Sequence, residues 1–134
     1  MILIACVDDN LGMAFNHRRQ SKDQALRGRI LALTAGRPLW MSPYSAKQFG
    51  EEGENIRVDE AFLSKASEQE FAFTEIDKPG LFAQQIEQVV LYRWNRLYPA
   101  DLRFDLELSG YTLTASTDFA GSSHEKITEE IYTK

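Results

Sequence analysis

The chain has 134 residues, 43% of them hydrophobic and 26% charged, proportions that fit one globular domain over residues 1–134 with one core. Its single cysteine excludes an internal disulfide and a zinc site built on several thiolates. The net charge of −5 is unevenly spread: residues 1–50 carry seven Lys or Arg against three Asp, and residues 51–134 carry eight against seventeen Asp or Glu. Basic residues gathered in one loop and the helix behind it would focus an anionic ligand there. The opening run MILIACV is too short for a secretory core and lacks a basic flank. No run approaches the roughly 18 apolar residues of a membrane span. A soluble, cytoplasmic protein with no membrane association is therefore expected.

In chain order, residues 2–7 are apolar throughout, as in a central strand covered on both faces, with Cys6 a small buried member of it. Asp8, Asp9 and Asn10, with Gly12, end that strand in a turn, and the chain from there to Lys22 reads as a loop. Ser21 suits an N-cap, and the spacing of Leu26, Ile30 and Leu33, widened by Leu31, predicts a helix over 22–35. Gly36 and Pro38 stop it. Residues 39–41 read as a short strand, and Ser42 followed by Pro43 has the form of a helix start for residues 44–49. A polar turn over 50–53 leads to a strand over 55–58, after which Asp59 is placed to cap a helix over 60–66.

Phe71 and Phe73 alternate with other side chains in a strand over 70–75. Asp77 and Pro79 open a helix over 80–86, and residues 89–94 (VVLYRW) form another buried strand. Pro99 leaves no room for a long helix before the expected antiparallel strands over 104–108, 111–119 and 127–132. The pattern is strand and helix alternating, then a β-rich end, which defines an α/β domain.

Several residue groupings suggest chemistry. Asp8, Asp9 and His17 offer carboxylate and imidazole ligands, at a spacing with no metal geometry behind it, and no metal is expected. Ser122, Ser123, His124 and Glu125 read as a turn, not a hydrolase pair. Arg93, Trp94, Arg96 and Tyr98 interleave bases with aromatics, but strand geometry puts Arg93 opposite Tyr92 and Trp94, and the acidic C-terminal portion repels phosphate. Nucleic acid is therefore not an expected partner. Trp40, Phe71 and Phe73 read as core.

The order of an apolar strand, the turn VDDNLGM, a helix bearing Asp23 near its start, and the strand GRPLWM resembles dihydrofolate reductase over roughly residues 1–50. The resemblance implies a three-layer α/β fold with a central mixed sheet, flanking helices and a C-terminal antiparallel hairpin. It also makes Asp23 the counterpart of the family's catalytic carboxylate, which pairs with the substrate's amino-pyrimidine face. The departures are specific. Arg18, Arg19, Gln20, Ser21 and Lys22 stand where the family has a tryptophan and a leucine-proline step, and the residue packed on the substrate falls on Leu26 or Arg27.

The family's cofactor is NADPH. Its first phosphate signature meets Ser42, Pro43, Tyr44 and Ser45 here, and its glycine pair meets Leu91, Tyr92, Arg93, Trp94 and Asn95. Ordinary NADPH-dependent activity is therefore not expected, and no cofactor-binding residues are assigned. The expected function is binding of a small anionic or heterocyclic ligand, or an acidic protein partner, through His17, Arg18, Arg19, Lys22, Asp23 and Arg27. The alternatives are a divergent reductase of a pterin-like or pyrimidine-like substrate and a non-enzymatic interaction protein.

Overall fold

Six consecutive apolar or small residues have no polar face to turn to water, so strand β1 (Ile2–Val7) runs through the middle of the sheet. In the computed structural model, which describes residues 1–50 and 53–134, β1 lies between two parallel neighbours. Leu3, Ala5 and Val7 enter one core and Ile2 and Ile4 the other. The chain then folds into β2 (Gly12–Phe15) and β3 (Arg18–Arg19), followed by helix α1 (Gln24–Leu33), β4 (Leu39–Met41) and α2 (Pro43–Phe49). Next come β5 (Ile56–Val58), α3 (Phe62–Lys65), β6 (Phe71–Thr74), a 3₁₀ segment (Gly80–Gln85), β7 (Gln88–Arg93) and β8 (Leu102–Arg103). A second 3₁₀ turn (Leu108–Gly110) precedes β9 (Thr112–Phe119) and β10 (Ile127–Thr133).

The main sheet has the order β5-β4-β6-β1-β7-β10-β9. Its first five strands are mutually parallel, and the terminal β9–β10 hairpin joins β7 antiparallel. A small antiparallel sheet, β3-β2-β8, sits apart. Leu26 and Ile30 of α1 and Phe49 of α2 cover one face against Ile4, Phe73 and Tyr92. Phe62 and Leu63 of α3, with Met13, Phe104 and Leu106, cover the other. The molecule is thus an α/β fold whose mixed sheet is covered on both faces at its central strands β6, β1 and β7, while the edge strand β9 is exposed along most of its length. Among the described residues, no helix is long and apolar enough to cross a membrane.

Several expectations are corrected. The segment 12–19 is a β-hairpin, not a loop. Asn16 and His17 both hold positive φ, at 53° and 60°, as a two-residue type I′ turn requires. Asn and His tolerate that region better than most residues, but no glycine marks the turn. The N-cap of α1 is Asp23, not Ser21, because the Asp23 carboxylate reaches the Leu26 amide. The buried stripe of α1 runs through Thr34 in place of Leu33, which is 36% exposed, and the Thr34 hydroxyl donates to the Ile30 carbonyl.

The helix expected over 60–66 keeps only its middle turn, with the Asp59 carboxylate holding the Ala61 amide. Residues 104–108 form no strand. Phe104 and Leu106 do alternate inward, yet the Phe104 amide is taken by the Leu11 carbonyl and Asp105 by the Gly80 amide. The helix expected over 80–86 is a kinked 3₁₀ segment. The polar turn expected over 50–53 centres on Glu51 and Glu52, which lie outside the described residues.

Candidate functional site

Open parallel sheets present ligands at the carboxyl ends of their strands. Asp8, Glu75 and Trp94 directly follow the ends of β1, β6 and β7, and all three side chains are buried. Each meets a segment folded across that end.

Asp8 shapes the turn. One carboxylate oxygen accepts the amides of Asn10 and Gly12, both at 2.8 Å, and the other accepts Gln20 Nε2 at 2.9 Å and the Tyr98 amide at 3.3 Å. Burial pushes its pKa up, but these bonds outweigh burial and hold it below the usual carboxylate range. Gly12 is required by close approach, since a Cβ there would lie 2.7 Å from Ala100 Cβ, Asp8 Oδ2 and Gln20 Nε2.

The hairpin β2–β3 delivers Arg19 to Glu75. Arg19 Nε meets Glu75 Oε2 at 2.9 Å and Nη2 meets Oε1 at 3.2 Å, a two-pronged pairing. Helix α2 completes the cage: Ser45 Oγ donates to Oε1 at 2.8 Å, and Gln48 Nε2 donates to Oε2 at 3.0 Å. The Arg19 guanidinium lies 4.3 Å from the centre of the Tyr44 ring, and the Arg19 amide donates to Tyr44 Oη at 2.9 Å. Beside this cage a cavity of about 10 Å³ is lined by Cys6, Met13, Ser21, Thr74 and Trp94, with Arg19 and Glu75. It holds no more than about one water. Burial, with the nearby Glu75 and Asp23 charges, pushes the half-buried Cys6 thiol well above its usual pKa, which disfavours the thiolate.

Asp23 occupies a second cage. Its Oδ1 accepts the amides of Leu26 at 3.1 Å and Ser122 at 2.9 Å, and its Oδ2 accepts the Ser123 amide at 2.7 Å and His124 Nδ1 at 3.1 Å. An ionised carboxylate only accepts, so Nδ1 carries the proton in this contact. The other ring nitrogen meets Tyr98 Oη at 2.8 Å and Ser21 Oγ at 3.3 Å, and the ring stacks on Trp94 with centroids 4.4 Å apart. Burial raises the Asp23 pKa, but the bonds from Ser122, Ser123, His124 and Leu26 overcome it and hold the acid far below its ordinary value.

The six residues singled out in the sequence therefore do not surround one cavity. Asp23 and Arg19 fill separate cages. His17 is an exposed turn residue, and Arg18 and Lys22 are exposed. Arg27 is half-buried on α1, and its Nε has no hydrogen-bond partner among the described residues. The sequence pattern assigns no site role to Glu75, Tyr44 or Gln48. An acid placed directly after the buried strand FAFT was a usable signal, because that is where a parallel sheet opens. The sequence pattern also marks the loop bearing His124 as a simple turn, whereas His124 is 4% exposed. Among the described residues no group of three His, Cys, Asp or Glu side chains is placed to hold a metal ion.

The fold and site define the chain by class alone, as an α/β protein whose strand-end carboxylates are enclosed by its own side chains. No protein-family model matches the chain, and no curated protein matches its sequence.

Proposed function

We propose that the chain is a divergent protein of dihydrofolate-reductase-like fold that works by binding, without ordinary NADPH-dependent reduction, and that its basic loop meets an acidic protein partner. The observation carrying this reading is the filling of the strand ends. Arg19 covers Glu75, His124 covers Asp23, and the cavity beside the Arg19–Glu75 pair measures about 10 Å³. Pockets for drug-sized ligands run to roughly 300–1,000 Å³; a pocket of about 300 Å³ past the end of β7, lined by Trp94, Asn95, Arg96, Glu125 and Lys126, includes neither Asp23 nor Glu75 in its lining. The resemblance draws support from the parallel sheet with its terminal antiparallel hairpin and from the acid at the start of α1. Arg18 and Lys22 supply the charge: both are exposed, and neither has an ion-pair partner among the described residues.

The test uses poly-glutamate as an acidic probe alongside NADPH and dihydrofolate. Salt-sensitive binding of poly-glutamate, lost in the double variant Arg18→Glu/Lys22→Glu, is expected, with no thermal stabilisation by NADPH or dihydrofolate. Stabilisation by NADPH would reverse the reading in favour of a divergent reductase of a pterin-like or pyrimidine-like substrate. That second reading is favoured by one observation, the convergence of polar groups at the carboxyl ends of β1, β6 and β7. It requires Arg19 and His124 to withdraw.

A further inference from the structure

We propose that Glu75, Tyr44 and Gln48 form a binding site for a planar guanidinium or amidinium group of an incoming ligand, a site that Arg19 fills at rest. The carboxylate is built to receive such a group. The Glu75 side chain is 7% exposed, and Ser45 and Gln48 fix its orientation from α2, a different element from the one that carries Arg19. Tyr44 adds an aromatic face 4.3 Å from the cation, so the site pairs a fork of two acceptors with a π surface. An ammonium lacks the two parallel donors that this fork takes.

The tether of the resting occupant is the weak part. Arg19 lies on β3, which has two residues, behind a turn whose two central residues hold positive φ. The β3 pairing with β2 covers only Ala14↔Arg19 and Phe15↔Arg18. Few backbone bonds and an exposed tip place such a segment at the low end of local stability. The neighbouring cavity of about 10 Å³ leaves no room for a ligand beside Arg19, so entry is an exchange of one planar cation for another. A tethered group competes at an effective concentration on the order of millimolar, which sets the range at which a free amidinium displaces it from the intact protein. This holds whether or not the basic loop meets an acidic partner.

Chemical rescue tests the site. Arg19→Ala, checked for folding by circular dichroism, is titrated with ethylguanidinium, acetamidinium and ethylammonium while thermal stability and NMR shifts are followed. Saturable binding of the two planar cations is expected, with ethylammonium at least about tenfold weaker, and no binding in Arg19→Ala/Glu75→Gln. No saturation, equal response to ethylammonium, or binding that survives Glu75→Gln overturns the proposal. The intact protein gives an independent measurement if Arg19→Ala does not fold. Benzamidine at tens of millimolar, on the scale just given, should move the Arg19 Nε–H resonance toward that of a solvated arginine. An unmoved resonance overturns the proposal equally.

Discussion

Asp23 and His124 stand 101 residues apart in the chain and meet at 3.1 Å, joining the start of α1 to the loop between β9 and β10. The contact is one of four to the same carboxylate. Three backbone amides complete it, two of them from Ser122 and Ser123 of that loop. Ser122 answers in kind, its hydroxyl accepting the Ala25 amide at 2.8 Å. Since β10 lies against β7, which lies against β1, this latch closes the terminal hairpin onto the strand-end cluster. A carboxylate with every acceptor position used by its own chain is a structural tie in the resting molecule.

Replacing that acid tests the tie. Asp23→Asn keeps the size but turns an NH₂ group toward donors that need acceptors. The loss of charge-assisted bonds in a buried place is expected to cost about 3 kcal/mol. Urea unfolding should show the midpoint fall with an unchanged slope. A drop below about 1 kcal/mol, the scale of a single ordinary hydrogen bond, would mean that the loop is held by something else.

Gly121 is the close-approach point of the same latch. A Cβ there would lie 2.6 Å from Asp23 Oδ2 and 2.9 Å from both the His124 carbonyl oxygen and Ile127 Cδ1. Gly121→Ala must push the loop off the carboxylate, at an expected cost of about 1–3 kcal/mol. At Gly110 an added Cβ meets nothing within 4 Å, so Gly110→Ala should stay within about 0.5 kcal/mol of the parent. Thermal denaturation of the pair gives the comparison, and equal effects would remove the steric argument.

What was legible in the sequence is local. Apolar continuity gave β1, and the Ser42-Pro43 pair gave α2 with its cap, because each rests on neighbours along the chain. The hairpin at 12–19 stayed hidden because its turn is Asn16-His17, without the glycine that normally marks positive φ. Ser21 looked like the N-cap because it is a good capping residue. Asp23 took the role because the same carboxylate also collects the distant Ser122, Ser123 and His124, a preference that local propensity does not carry. The Arg19–Glu75 pairing spans 56 residues and joins the small sheet to the main one, so no local pattern carries it.

The same turn offers a stabilising change. His17 at φ 60° is held where a side chain is disfavoured, and the ring is exposed. His17→Gly is expected to stabilise the protein by about 0.5–1 kcal/mol, the relief of the left-handed conformation less the greater freedom of glycine when unfolded. Binding of any anionic probe at Arg18 and Lys22 should be unaffected. A destabilised variant would show that the imidazole makes a contact of its own.

Acid sensitivity follows from three buried carboxylates, Asp8, Asp23 and Glu129, each held below its ordinary pKa. For Glu129, burial works upward, while Arg29 at 2.8 Å and Tyr92 Oη at 2.9 Å overcome it. A depressed pKa in the folded state means that the unfolded chain binds more protons below about pH 4, where free carboxyls titrate. Stability from these groups is thus complete above that point and is lost as the pH falls through the folded values. Unfolding free energy should be flat in this respect from pH 5 to 7 and decline steeply below about pH 4. Asp23→Asn should make that decline shallower by the share of its missing carboxylate. A parent and variant with parallel acid limbs would show that Asp23 is not the depressed acid that the geometry makes it.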